Sequence, residues 1–236
     1  MATQYLYVMG AESGAGKSTA CLGILAQLME SGFTGDQLAY IKPVTQCIEK
    51  QPVALFCEQN NIACRDIASL VFSKGFSKNF IAGLTPRSDE LLAGVLATIA
   101  DSGKGKSMVI IDGVGDPSVG GVVGVSNADV AAALACRVIF VGRPGIGAAL
   151  DNTLLCASFM HSKGIADIGV IYNKIAPVAM AEIKQYVSKR LPELLPTVTL
   201  LGFIAGCHDQ ADIMQGFDAG IDRKALIDWL LSARGA

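Results

Sequence analysis

Gly10-Ala11-Glu12-Ser13-Gly14-Ala15-Gly16-Lys17-Ser18-Thr19 follows a short apolar run, Tyr5-Leu6-Tyr7-Val8-Met9, and leads into a stretch with Leu22, Ile24, Leu25 and Leu28 at helical spacing. Strand, glycine-rich loop and helix start in that order make a phosphate cradle. Glycines let backbone N–H groups converge on phosphate oxygens, and the free N–H groups and dipole of a helix N-terminus favour anions. In such a loop Lys17 reaches the β- and γ-phosphates of a nucleotide, and Ser18 places its hydroxyl on a magnesium ion. Ala11 stands where the usual G-x4-G-K-[ST] spacing has its first glycine, so the loop reads G-x5-G-K-S from Gly10 to Ser18.

Working outward, the 236 residues are 51% hydrophobic, 17% charged and 6% aromatic, which predicts a well-buried α/β unit, read as one domain over 1–236. A formal net charge of −2 implies no basic face for nucleic acid. No apolar run reaches the length of a membrane span, and the first residues lack a basic region and a cleavage site, so a cytoplasmic protein is expected. Seven scattered cysteines without a C-x-x-C pair, accompanied only by His161 and His208, predict reduced and mostly buried thiols rather than a zinc site or disulfide framework. Cys207-His208 is the one adjacent pair, but neighbours in sequence need not face each other.

Short apolar runs alternate with amphipathic stretches along the chain, the pattern of a parallel sheet covered by helices. Strands are predicted at 4–9, 38–42, 107–112, 137–142, 167–173 and 198–204, and helices at 19–29, 87–101, 146–162, 178–191 and 223–233. The stretch 43–86 carries helical hints at 53–58 and 65–72 and is expected to wrap the mouth of the site. Gly103-Lys104-Gly105-Lys106-Ser107 precedes a strand rather than a helix and reads as a solvated turn.

Three strand ends carry further chemistry. Met108-Val109-Ile110-Ile111-Asp112 ends in a carboxylate, which in this arrangement sits beside phosphate-bound magnesium, and glycines follow from Gly113 to Gly121. Ala39-Tyr40-Ile41-Lys42-Pro43-Val44 puts a lysine at a strand end. Ligands of parallel sheets bind beyond those ends, so Lys42 is a second cation for the phosphates. Gly169-Val170-Ile171-Tyr172-Asn173-Lys174 places an amide at another strand end, able to read an adenine edge or to form a turn.

Taken in order, these residues resemble the dethiobiotin synthetase superfamily, which includes the cobyrinic acid diamide synthases and an accessory domain of some phosphotransacetylases. The resemblance rests on the G-x5-G-K-S loop, Lys42-Pro43-Val44, Asp112-Gly113-Val114-Gly115, Val141 to Ala148 before a helix, Asn173-Lys174 and Leu200-Leu201-Gly202-Phe203-Ile204. It implies a homodimeric, three-layer α/β/α P-loop NTPase fold with a mostly parallel central sheet. It also implies an ATP-dependent ligase that phosphorylates a carbamate formed from carbon dioxide and a diamine, then closes a cyclic urea. On that likeness Gly10 and the loop residues Glu12, Ser13, Gly14, Ala15, Gly16, Lys17, Ser18 and Thr19 bind ATP, with Ser13 facing substrate. Lys17 and Lys42 are catalytic, and Ser18 and Asp112 hold magnesium. Asn173 binds adenine and Lys174 beside it contacts the nucleotide, with Gly202 and the segment after it near the nucleoside.

The chain departs from the synthetase pattern at several positions. The further acidic magnesium ligand of the synthetase falls near Gln51-Pro52, with Glu49 and Glu58 the nearest carboxylates. Thr45-Gln46 replaces a small serine-glycine turn, Asp112 replaces a glutamate, and Gly115-Asp116 replaces a glycine pair. K-P-V-x-Q looks more like the phosphotransacetylase accessory domain. No room is expected for a glutaminase domain, and Glu12 stands where the cell-division ATPases carry a signature lysine. Two readings therefore stay open: a ligase acting on an unnamed small acceptor, and a regulatory ATP-binding module whose nucleotide state controls a partner.

Overall fold

The computed structural model describes residues 3–45, 52–66, 69–206 and 209–232. In chain order its strands are β1 (Gln4–Gly10), β2 (Leu38–Ile41), β3 (Val44–Thr45), β4 (Ala63–Arg65), β5 (Leu70–Val71), β6 (Met108–Asp112), β7 (Arg137–Gly142), β8 (Ile168–Ile175) and β9 (Val198–Ala205). The helices are α1 (Lys17–Glu30), α2 (Pro52–Gln59), α3 (Phe76–Ile81), α4 (Ser88–Ser102), α5 (Asn127–Ala133), α6 (Gly147–Ser162), α7 (Met180–Leu194), α8 (Gln210–Gly220) and α9 (Arg223–Leu231). A seven-stranded sheet runs in the order β4-β2-β6-β1-β7-β8-β9, with every pairing parallel. Helices cover both faces, so the fold is the three-layer α/β/α P-loop NTPase arrangement that the sequence predicts.

Strand alternation divides the core in two. Tyr7, Ile41, Ile111, Phe140 and Tyr172 point into one layer with buried residues of α4, α5, α6 and α7. Leu6, Val8, Tyr40, Ile110, Val141 and Ile171 point the other way, against α1, α2, α8 and α9. Because side chains of one strand alternate with period two, Asp112 shares the face of Ile110, and Asn173 that of Ile171. Both therefore lie on the α1 side of the sheet. The same parity carries Lys42, which follows Tyr40 by two residues, towards the start of α1.

The described residues of the 65–72 stretch, 65–66 and 69–72, do not take the helix expected there; 67–68 lie outside the described residues. Cys64 and Arg65 extend the sheet edge beside Tyr40 and Ile41, and Leu70 and Val71 pair with Val44 and Thr45 in a small parallel ladder. The Leu70 and Phe72 amides donate to the carbonyls of Pro43 and Thr45 at 3.2 and 2.9 Å. Backbone partners supplied from a distant segment outweigh a weak local helical periodicity. This ladder directly follows Lys42 in the chain. The sequence pattern also left α3, α5 and α8 undrawn. α5 begins with Ser126, whose hydroxyl accepts from the Asp129 amide while the Asp129 carboxylate accepts from the Ser126 amide, a reciprocal cap on a seven-residue helix too short for periodicity to reveal.

The far end of the chain is tied to the sheet by Arg137, whose guanidinium donates to the carbonyls of Leu230 and Ser232 at 2.6 and 2.9 Å and lies 5.6 Å from the Trp229 ring centre. Those carbonyls end α9, where a cation both satisfies orphan acceptors and opposes the helix dipole. Among the described residues Cys21, Cys57, Cys136 and Cys156 are buried and Cys64 is exposed. Cys47, Cys207 and His208 lie outside the described residues. No described helix is long and apolar enough to cross a membrane.

Candidate functional site

The loop between β1 and α1 is built so that a helix starts without a side-chain cap. Gly16 holds the cap position in the left-handed region with φ 96°, no side chain caps the helix, and no acidic residue enters its first turn. The first-turn N–H groups are thus left for an outside anion. Glu12, Ser13 and Gly14 are exposed at the loop tip, whereas Ala15 and Lys17 are buried beneath it. The Lys17 ammonium donates to the Glu12 carbonyl at 3.1 Å, closing the loop on itself. Burial lowers the Lys17 pKa below its ordinary value, the Asp112 charge opposes that shift, and the Lys42 charge adds to it. A partly desolvated cation short of countercharge is well prepared for phosphate.

Asp112, 1% exposed, is the centre of the site. Its Oδ2 accepts from the Ser18 hydroxyl at 2.7 Å and the Tyr40 hydroxyl at 2.8 Å, and lies 3.7 Å from the Lys42 ammonium. Its Oδ1 is buried with no hydrogen-bond partner among the described residues. Burial first, then the Asp112 charge, pushes the Tyr40 phenol well above its ordinary pKa, so it stays a donor at neutral pH. An orphaned carboxylate oxygen beside a serine hydroxyl fits a magnesium ion, which takes few protein ligands and completes its shell with water and phosphate oxygens. The described residues hold no cluster of three or more His, Cys, Asp or Glu of the kind that cages a metal by itself. Of the carboxylates near the expected further ligand, Glu58 is exposed on α2, and Glu49 lies outside the described residues with Gln51.

Asn173 reaches the loop from β8. It is 3% exposed, and its Nδ2 donates to the Ala15 carbonyl at 3.0 Å. A Cβ on Gly16 would sit 2.0 Å from that nitrogen, so Gly16 is required twice, by its φ and by the amide packed on it. Lys17, Ser18, Lys42, Asp112 and Asn173 are therefore assembled around one loop, with Thr19 in the turn behind it. Lys174 is exposed with φ 60°, and among the described residues it makes no hydrogen bond or ion pair with this group. Gly202 has φ 156° and bridges Ile221, and a Cβ there would lie 2.3 Å from the Gly220 carbonyl oxygen. Close backbone packing accounts for that glycine.

Two contributors escaped the sequence reading. Tyr40 was legible only through strand parity, two residues before Lys42. Asn127 organises the glycine-rich loop after β6: its Oδ1 accepts from the Val114 amide and the Tyr7 hydroxyl, and its Nδ2 donates to the carbonyls of Val114 and Asp116. That loop passes beside β1, where the Gly10 amide donates to the Gly115 carbonyl at 3.3 Å.

Fold and loop together define a P-loop NTPase of the dethiobiotin synthetase-like superfamily. The profile of the AAA_26 family, described as an AAA domain, matches residues 4–206, and the chain belongs to that family. It is similar to the ATP-dependent dethiobiotin synthetase BioD of Methanococcus vannielii, with 24% identity over 200 residues, 84% of this chain and 92% of that protein. Among solved structures it resembles the MinD cell division protein of Aquifex aeolicus, 13% identical with a TM-score of 0.57, over 97% of this chain and 95% of that one. A ParA family ATPase from Chlorobium tepidum TLS is 13% identical with a TM-score of 0.55, over 98% and 100% of the two chains. At those identities the likeness is one of fold.

The fit of Asn173 against Gly16 is open to a double-mutant cycle. Gly16→Ala should cost about 3 kcal/mol through strain and the clash with the amide, and Asn173→Ala about 1 kcal/mol. In urea unfolding the double variant should lose at least about 1 kcal/mol less than the sum, because the smaller residue removes the clash. Strict additivity would mean that the two residues do not meet.

Proposed function

We propose that the chain binds ATP with magnesium and uses the γ-phosphoryl group to activate a small acceptor, as a ligase of the dethiobiotin synthetase type. The observation that carries this reading is the convergence of Lys17, Lys42, Ser18 and Asp112 at the loop mouth. In this reading the loop amides and Lys17 hold the phosphates, and Ser18 with the free Oδ1 of Asp112 holds the metal. Magnesium, when bound, supplies charge neutralisation on the phosphate oxygens. Lys42 leaves its long contact with Asp112 to meet negative charge on the transferring group, an interaction strongest in the transition state. A groove of about 260 Å³ beside the loop, between Ala11, Asp116 and Ser118 on one side and Asn152, Leu155 and Phe159 of α6 on the other, has room for a small acceptor.

One observation favours the alternative, a regulatory ATP-binding module. Thr45, in place of the small substrate-touching turn of the synthetase pattern, is 2% exposed and its carbonyl is taken up in the ladder with β5. Turnover separates the two readings. Lys17→Ala should abolish ATP binding measured by calorimetry without unfolding the chain. Lys42→Ala should leave ATP affinity within a few fold and cut acceptor-stimulated ADP release by about 100-fold or more. Diaminopelargonic acid with bicarbonate is the first acceptor to try. Tight nucleotide retention with no stimulation by any small amine or carboxylate favours the module.

Adenine reading by Asn173 belongs to the same proposal. With Nδ2 committed to the loop, its carbonyl oxygen is left to accept from the exocyclic amine of adenine, a donor that guanine lacks at that edge. Asn173→Ala should narrow the preference for ATP over GTP about tenfold or more in competition binding; an unchanged ratio removes Asn173 from the base site.

We also propose a homodimer. The support is the family likeness, and Ile81, Leu84, Val122 and Leu155 are exposed apolar side chains available to such an interface. Analytical ultracentrifugation with ATP and magnesium should give twice the chain mass; a monomer at all loading concentrations rejects it.

A further inference from the structure

Asp112 distributes its hydrogen bonds unevenly. Both hydroxyl donors, Ser18 at 2.7 Å and Tyr40 at 2.8 Å, converge on Oδ2, the oxygen nearest the Lys42 ammonium at 3.7 Å, while Oδ1 is buried without a partner among the described residues. The χ2 torsion of an aspartate is soft and roughly two-fold, so a carboxylate does not by itself keep one oxygen apart from the other. Ser18 cannot do so, because its hydroxyl is needed elsewhere once a metal arrives. Lys42 is long and flexible, and its contact is too distant to fix a plane. Tyr40 is different: it is fully buried in the layer between the sheet and α1, and a ring in that setting has one place to put its hydroxyl.

We infer that Tyr40 is a positioning residue for the metal site: its hydroxyl anchors Oδ2 of Asp112 and so leaves Oδ1 without a competing protein donor, as the ligand oxygen. The inference rests on the nucleotide reading above and adds to it a residue that touches neither nucleotide nor acceptor. Outer partners that orient a ligating carboxylate typically change metal affinity by about 10- to 100-fold when removed. Tyr40 follows that pattern through a single hydrogen bond, and a variant that keeps the ring and loses the hydroxyl isolates it.

The test uses Mn²⁺ as the probe, its binding to the protein–ATP complex read by electron paramagnetic resonance, with ATP affinity measured separately in EDTA. Tyr40→Phe should weaken Mn²⁺ binding about 10-fold and leave metal-free ATP affinity unchanged. Tyr40→Leu, which also removes the ring, should weaken Mn²⁺ binding at least as much. Equal Mn²⁺ affinity in Tyr40→Phe and wild type, with loss only in Tyr40→Leu, reduces Tyr40 to packing and overturns the inference. An equal loss of ATP affinity in EDTA also overturns it, since the effect would then lie in the loop and not at the metal. Wild-type protein that binds no Mn²⁺ with or without ATP overturns the nucleotide reading and this inference together, an outcome distinguishable because it appears before any variant is made.

Discussion

A buried carboxylate held between two lysines and two hydroxyls is what the rest of the site depends on. Asp112 ends β6 on the α1 side of the sheet, where water is excluded and an uncompensated negative charge would be costly. Ser18 and Tyr40 donate to it, and Lys42 and Lys17 lie close enough for their charges to be felt. Burial weakens the hold of Lys17 on its proton, and the Lys42 charge adds to that effect. Phosphate groups and a divalent cation would relieve each of these imbalances at once. The site is thus electrostatically incomplete in a way that matches Mg-nucleotide chemistry, and the family to which the chain belongs is one of P-loop NTPases.

The parallel sheet makes this arrangement possible by a simple parity. β2, β6, β1, β7 and β8 run the same way, so their carboxyl ends meet at one edge. Tyr40, Lys42, Asp112 and Asn173 fall on the same side of that edge, towards the start of α1, because each lies an even number of residues from a neighbour that packs on α1. Asn173 then touches the loop itself through Ala15, linking β8 to the phosphate end of the site.

On the acceptor side the chain has its own character. The backbone after Lys42 is fixed by pairing of β3 with β5, and the glycine-rich loop after β6 is pinned by Asn127. Both are irregular connections held by buried hydrogen bonds, the means by which a loop acquires a single conformation. The glycine-rich loop lines the groove beside Ala11 through Asp116, Pro117 and Ser118.

The sequence by itself determined the phosphate loop, the α/β alternation, and Lys42 and Asp112 as strand-end groups, whereas β8 runs two residues past Asn173. Those features are local: a loop motif is contiguous, and an apolar run ending in one polar residue reads as a buried strand whose last side chain meets solvent or ligand. The tertiary structure alone decided that Arg65 and Leu70–Val71 join two strands, since their partners are the edge of β2 and the backbone of Pro43 and Thr45. It alone gave Tyr40 and Asn127 their places, because their hydrogen-bond partners lie elsewhere in the chain: Asp112 for Tyr40, and Tyr7, Val114 and Asp116 for Asn127. It also set Gly202 against Gly220 and Asn173 against Gly16, contacts made by the approach of separate backbone segments. Periodicity records which face of an element is buried; it carries no record of which distant atom that face will meet.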